Sequence, residues 1–465
     1  MKSKNYFPKD FLWGASSSAF QSEGAITEDG RKLSVADIRV KKMSQKFNTA
    51  DTSIAVDFYH HYKEDIKLMA ECGLKSFRFS FSWSRIFPDG NGNVNPDGVK
   101  FYDNVIDELL KNDIKPIVTL LHFDYPQQLI EKYKGFYSRE SINDFLKYAE
   151  FCFKHFGDRV PYWLTINEQD VLANIPFFNG LDSLSESIQA SHHMNIANAL
   201  TMKLYHSLNL KGKIGPCLSY PTRYPASTDP KDQFLAMSLD DLGIFYLADT
   251  LIYGEYPAYY LNHLKEKNIK LQVNDNDHEL LSNANPDFLA VNWYTSEVVG
   301  QYIDDTPGID YQGPDLPRQN RSEKGVAQYY KNPYTKYGDF NWNIDGVGLR
   351  LALRKVYERY HLPLMITENG LALKEKMQNG KVHDQRRIDY LSVMVENMSL
   401  AIKDGVKLFS YNPWSFTDVL SSSQGMDKRY GLVFVNRSNS DLKQLKRVPK
   451  DSFYWYKNCI EKNGL

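Results

Sequence analysis

Short apolar runs that close on polar residues recur along the chain, and longer segments with apolar residues at helical spacing separate them. The runs are FLWGA (11–15), KSFRFSFSW (75–83), KPIVTLLHF (115–123), YWLTINE (162–168), KIGPCLSY (213–220), PDFLAVNWY (286–294), LPLMITENG (362–370) and KLFSYNPWS (407–415). They read as strands, and the stretch from Tyr59 to Met69 reads as the helix ahead of the second. Strand–helix alternation argues a parallel sheet with helical crossovers, and eight such units close a barrel. The expected fold is therefore α/β, a (β/α)8 TIM barrel.

A minimal barrel takes about 250 residues, and this chain has 465. The surplus belongs in extended βα loops that wall a deep pocket. No internal repeat and no Pro/Gly/Ser-rich linker divides the chain, so residues 1–465 are expected to form a single domain. Lys and Arg total 56 against 57 Asp and Glu, a net charge of −1, which excludes an overall basic footprint for nucleic acid or an anionic membrane. The basic N-terminus lacks an apolar h-region, and no run of about 18 apolar residues occurs. A soluble, cytoplasmic protein without nucleic-acid or membrane partners is expected, and its oligomeric state is left open. Four cysteines, Cys72, Cys152, Cys217 and Cys459, lie far apart without a CxxC pair, so buried thiols are expected rather than disulfides or a zinc ribbon. His60–His61 and His192–His193 lack HExxH or cysteine partners, and no Walker or GxGxxG loop opens a helix. No metal or cofactor is expected.

Barrel chemistry sits at the C-terminal ends of the strands, where the βα loops converge. The polar residues ending the runs are Arg78, His122, Asn167, Glu168, Asn292, Tyr294, Glu368 and Trp414. Two are carboxylates on well-separated strands. Facing each other in unlike environments, such a pair suits glycosidic cleavage: one attacks the anomeric carbon, while the other, its pKa raised, protonates the leaving oxygen. The competing reading makes each glutamate a helix N-terminal cap.

The segments FPKDFLWGASSSAFQSEGA, FRFSFSWSRIFP, TINE, ITENG and WSFTDV…KRYGLVFV, in this order from about residue 6 to residue 460, resemble glycoside hydrolase family 1, the retaining β-glycosidases. The resemblance implies Glu368 as nucleophile, Glu168 as acid/base, and Asn167 at the sugar 2-hydroxyl. It implies Arg78, Asn292 and Tyr294 as support for the nucleophile. Gln21 and His122 match residues that bind the 3- and 4-hydroxyls, and Trp414 matches the ring beneath the sugar. Glu168 is expected to owe its higher pKa mainly to a neighbouring negative charge. Gln169 departs from the usual Pro or Ile and is expected to bear on the leaving-group side.

After Trp414, family members usually place a glutamate that grips the 4- and 6-hydroxyls, and here Ser421 stands at that position. Ser421, Lys428 and Tyr430 resemble the phosphate-binding triad of the 6-phospho-β-glycosidases. A sugar 6-phosphate carries about −1.5 to −2 charge. A glutamate about 4 Å away, at an effective dielectric of about 20, would repel each unit by about 4 kcal/mol. Serine removes that repulsion and leaves a donor, while Lys428 supplies a compact cation.

Galactoside-preferring members tend to carry tryptophan after the phosphate-binding serine. Ser422 stands there instead and resembles the 6-phospho-β-glucosidases. The implied partner is a small-molecule phosphorylated β-glucoside, such as cellobiose 6′-phosphate or an aryl β-glucoside 6-phosphate. In GDFNWNIDGVGLR (338–350), Asn341 and Gly346 replace the family's Gly and Pro, and Trp342 is placed on the leaving-group side. Three alternatives stay open: a 6-phospho-β-galactosidase or dual enzyme, a plain β-glucosidase, and a catalytically silent sugar-phosphate-binding protein.

Overall fold

The computed structural model describes residues 5–303 and 325–465. Residues 1–4 and 304–324, which the single-domain expectation includes, lie outside the described residues. Eight parallel strands close a barrel: β1 Leu12–Ser16, β2 Ser76–Ser80, β3 Lys115–Leu121, β4 Tyr162–Asn167, β5 Lys213–Ser219, β6 Leu289–Asn292, β7 Leu364–Glu368 and β8 Leu408–Tyr411. Seven lie within their apolar runs, and β1 runs one residue past the first, to Ser16. β1 pairs with β2 through Gly14 and Ser76 and with β8 through Leu12 and Ser410, which closes the ring.

Helices cross over between successive strands, and their sequences explain why. The helix Pro96–Lys111 has Pro at its start, Asp97 in its first turn and Lys111 in its last, the order that complements the helix dipole. Val99, Tyr102, Val105, Ile106 and Leu109 form its buried stripe. Between helices and strands lies a continuous apolar layer that includes Phe77, Phe79, Phe81, Trp83 and Trp163. Inside the barrel, Ile117, Leu164, Cys217, Phe288, Ala290 and Met365 pack as a separate plug below the mouth.

The surplus sequence forms the loops at the mouth. Thr222–Pro225, Ser296–Gln301 and Ala327–Tyr330 build a three-stranded sheet, and Val433–Val435 pairs with Arg447–Pro449. Among the described residues no helix is long and apolar enough to cross a membrane. All four cysteines are buried and unpaired with one another.

Candidate active site

Strict alternation along a strand would send neighbouring side chains to opposite faces. Asn167 and Glu168 are neighbours, as are Thr367 and Glu368, yet all four contribute to the mouth. The register explains this. Between Leu164 and Asn167, β4 slips against β5, and between Ile366 and Glu368, β7 slips against β6. An extra residue at such a slip re-aims the side chains that follow.

Glu368, only 4% exposed, accepts from Arg78 Nη1 at 2.6 Å through Oε1 and from the Tyr294 hydroxyl at 2.6 Å through Oε2. Arg78 is wholly buried; its Nε donates to Thr119 Oγ1 at 2.8 Å and its Nη2 to Asn167 Oδ1 at 2.6 Å. A charge-assisted pair of this kind holds both oxygens of the carboxylate in place.

Glu168 follows β4 with φ 45° and ψ 53°, a left-handed backbone, at the start of the short helix Gln169–Asn174. Its side chain does not cap that helix. Instead Oε1 accepts from Asn292 Nδ2 at 2.8 Å. Asn292 therefore supports Glu168, whereas the sequence assigned it to the nucleophile. The cause is the Thr367 hydroxyl, which donates to Asn292 Oδ1 at 2.7 Å and so turns the amide nitrogen toward Glu168. Asn292 Nδ2 also reaches Asn167 Oδ1 at 3.1 Å. A continuous path, Glu168–Asn292–Asn167–Arg78–Glu368, thus links the two carboxyls. Beneath it, Cys217 Sγ lies 3.3 Å from Asn167 Oδ1, 3.4 Å from Asn292 Oδ1 and 3.2 Å from Thr367 Oγ1.

Enclosure in the protein pushes the Glu168 carboxyl well above the ordinary range, with the charges of Glu368 and Asp170 adding to it. Burial comes first and the neighbouring charge second, the reverse of the order expected from sequence. Asp170 is itself pushed up to about 7 by burial, against the opposing hydrogen bond from the Ser219 amide.

His122, at the end of β3, is held well below its usual pKa by burial and by Arg78 and Arg39, so its imidazole is neutral. Its Nε2 lies 3.4 Å from Asn167 Nδ2 and 4.0 Å from Glu368 Oε1, and its ring faces Trp414 at 5.8 Å and 17°. Gln21 donates to the Leu420 carbonyl at 2.9 Å and accepts from Ser18 at 2.9 Å, joining the helix Ala19–Ser22 to the loop after β8.

That loop carries the remaining candidates. Asp418 anchors it through Arg429 at 2.7 Å and Lys450 at 2.8 Å. Burial works against ionised Asp418, but Lys450 and Arg429 overcome it and hold the carboxyl below its usual range. Ser421 exchanges two backbone hydrogen bonds with Gly425, 2.9 and 3.0 Å, and Ser422 sits half-buried in the turn between them. Gly425 has φ 56°, and a Cβ there would meet Asn439 Oδ1 at 2.0 Å, so the turn needs glycine.

Lys428 is 2% exposed; its ammonium lies 4.2 Å from the Trp342 ring, 5.1 Å from Phe340 and 5.8 Å from Tyr430. Each such contact contributes about 0.5–2 kcal/mol as it is desolvated. Trp342 also packs on Tyr294 at 4.9 Å, so the residue expected on the leaving-group side lies between the phenol that donates to Glu368 and the lysine. Asn341 takes φ 59°, which explains why glycine suits its position and asparagine is tolerated. Gly346 begins the helix Gly346–Tyr360, a place that proline also fits.

One other expectation changes: Gln169 points away from the mouth into the helix Leu184–Ser207. His60 and His61 hydrogen-bond Asp57 and Glu64 near the surface, and His192 and His193 lie buried within Leu184–Ser207. Among the described residues, no group of three or more His, Cys, Asp or Glu side chains is placed to hold a metal ion. Thr119, Thr367, Asp170 and Phe340 were not singled out from sequence, and Cys217 was read only as a buried thiol; Thr367 and Asp170 lie at or just beyond strand ends, a position that could have flagged them.

A closed barrel presenting two glutamates in unlike environments at its C-terminal mouth has the form of a glycosidase site. The sequence model described as Glycosyl hydrolase family 1 matches residues 3–465, and the chain belongs to that family. It is 41% identical to an aryl-phospho-beta-D-glucosidase of Bacillus subtilis (strain 168), with 98% of each chain covered. Identity to a 6-phospho-beta-glucosidase of Escherichia coli (strain K12) is 37%, again over 98% of each. A solved family 1 b-glucosidase from Thermotoga maritima superposes with a TM-score of 0.88 at 31% identity and full coverage of both chains.

Proposed function

We propose that this protein hydrolyses 6-phospho-β-D-glucosides with retention of configuration, releasing glucose 6-phosphate. Glu368, held by Arg78 and Tyr294, attacks the anomeric carbon as the bond to the leaving oxygen breaks, and the Glu168 proton moves to that oxygen. Water then attacks the glycosyl-enzyme, Glu168 takes its proton, and Glu368 departs as carboxylate. The raised pKa of Glu168 favours the protonated form that the first step uses. Asn167 and His122 bind the 2-hydroxyl and a neighbouring hydroxyl, Gln21 another, and Trp414 supports the apolar face of the ring. No cofactor takes part.

One observation carries the phosphate reading: a lysine 2% exposed against Trp342, Phe340 and Tyr430, on the same loop as Ser421 and Ser422, with Trp342 in turn packed on Tyr294 beside Glu368. The similarity to enzymes named for phosphorylated glucosides supports it. We take residues 1–465 as one domain that acts in the cytoplasm on sugars phosphorylated during uptake.

The test is a side-by-side assay of nitrophenyl β-glucoside and β-galactoside, each with and without a 6-phosphate. The expected result is kcat/KM greater by orders of magnitude for the phosphorylated glucoside. Equal or better turnover of the plain glucoside would make the protein a plain β-glucosidase. A leading galactoside 6-phosphate would reverse the sugar assignment, and no turnover of any substrate would leave a binding protein.

A further inference from the structure

Gln169 lies immediately after Glu168 and is 1% exposed, yet its side chain turns from the mouth. Its Nε2 donates to the Ser191 carbonyl at 2.9 Å, Ser191 Oγ at 3.1 Å and Asn195 Oδ1 at 2.7 Å, while its Oε1 accepts from Asn198 Nδ2 at 2.6 Å. All three partners belong to the helix Leu184–Ser207. The network continues outward: Asn195 Nδ2 donates to the Tyr256 hydroxyl at 2.9 Å, His192 Nδ1 lies 3.0 Å from that hydroxyl, and His192 Nε2 lies 2.9 Å from Asp277. Arg139 closes the chain on Asp277 through Nη1 at 3.0 Å.

This bundle of buried bonds meets a backbone that needs restraint. A non-glycine residue in the left-handed region, as Glu168 is at φ 45°, stays there only when its surroundings fix it. The following helix has only six residues, too few for stability of its own. A proline or isoleucine in place of Gln169 would offer none of these hydrogen bonds.

We propose that Gln169 is a positioning residue: by locking the segment after β4 onto the helix Leu184–Ser207, it sets the place from which Glu168 delivers its proton to the leaving oxygen. The proposal rests on the reading of Glu168 as the acid/base. Gln169 touches no reacting atom, so its removal weakens proton delivery rather than sugar binding.

Leaving groups differ in their need for that proton. A 2,4-dinitrophenolate departs without it, a nitrophenolate needs some help, and an alkoxide needs it fully. The experiment measures kcat/KM for Gln169→Leu across dinitrophenyl, nitrophenyl and methyl β-glucoside 6-phosphates. The alkyl substrate should lose about 30-fold or more, within the range a general acid supplies, and the dinitrophenyl substrate less than about threefold. Asn198→Leu, which strips the network from the helix side, should steepen the same dependence in a second background should Gln169→Leu fold poorly. Losses equal across all leaving groups, or none, in folded variants would overturn the proposal. The same series on unphosphorylated glucosides separates the two readings. A wild type indifferent to the phosphate sinks the phosphate assignment and leaves the Gln169 test running, while one inert on both series sinks both.

Discussion

The floor of the mouth and the corner formed by the loop after β8 are built by different means. On the floor, Arg78 from the middle of β2 and Asn167, Asn292, Thr367 and both glutamates at or beside strand ends are fixed one to the next by direct hydrogen bonds of 2.6–3.1 Å. In the corner, Ser421, Lys428 and Tyr430 hang on an irregular loop held from behind by the Asp418–Arg429–Lys450 network, and aromatic faces surround the cation. Bonds along the floor dictate where charge develops during bond cleavage. The cation in the corner is nearly buried and lies against the faces of Trp342, Phe340 and Tyr430. The contrast teaches that, on the proposed reading, the chemistry would be tied to the barrel and discrimination delegated to a loop held apart from it.

If Glu368 is the nucleophile, its loss should break the floor most severely. Glu368→Gln is expected to lower kcat by at least about 10⁴-fold on every substrate, read from initial rates. If the corner acts separately, Lys428→Ala should lower kcat/KM for the glucoside 6-phosphate by about 10²–10³-fold, the scale of truncating one side of a buried charge pair. The ratio to the plain glucoside should narrow accordingly. Equal losses on both substrates would merge floor and corner into one device.

Smaller effects sharpen the account of the floor. Ionised Asp170 raises the pKa of Glu168, so Asp170→Asn should move the alkaline limb of the pH–kcat/KM profile downward, by less than about one unit. The same change tests stability. Because burial raises the Asp170 carboxyl to about 7, its contribution to folding falls as pH climbs from about 4 through 7. Asp170→Asn should therefore gain Tm relative to wild type above pH 7, and an unchanged difference across that window would contradict the shift. Thr367→Val should act more weakly in the opposite kinetic direction. With Asn292 no longer locked, Glu168 loses a donor to its ionised form and the alkaline limb moves up, whereas Thr367→Ser should restore it.

The barrel was legible because its strands are short apolar runs bounded by polar residues, and each run overlaps one observed strand. The carboxylates were legible as the polar ends of those runs. Their local geometry was not: the slips between Leu164 and Asn167 and between Ile366 and Glu368 leave no mark in a period-two pattern. Asn292 was assigned to the wrong glutamate because its amide direction is decided by Thr367, a contact between strands. Gln169 was misplaced for a similar reason, since its partners lie on a helix more than twenty residues away in sequence. The loop sheet joining Thr222–Pro225 to Ser296–Gln301 was also out of reach, its pairing being distant along the chain.

A crystal structure with bound glucose 6-phosphate asks the decisive question of the corner. The phosphorus should lie within hydrogen-bond reach of Ser421, Lys428 and Tyr430 with the anomeric carbon beside Glu368. A sugar seated over Trp414 with its phosphate turned out to solvent, away from those three side chains, would contradict the account.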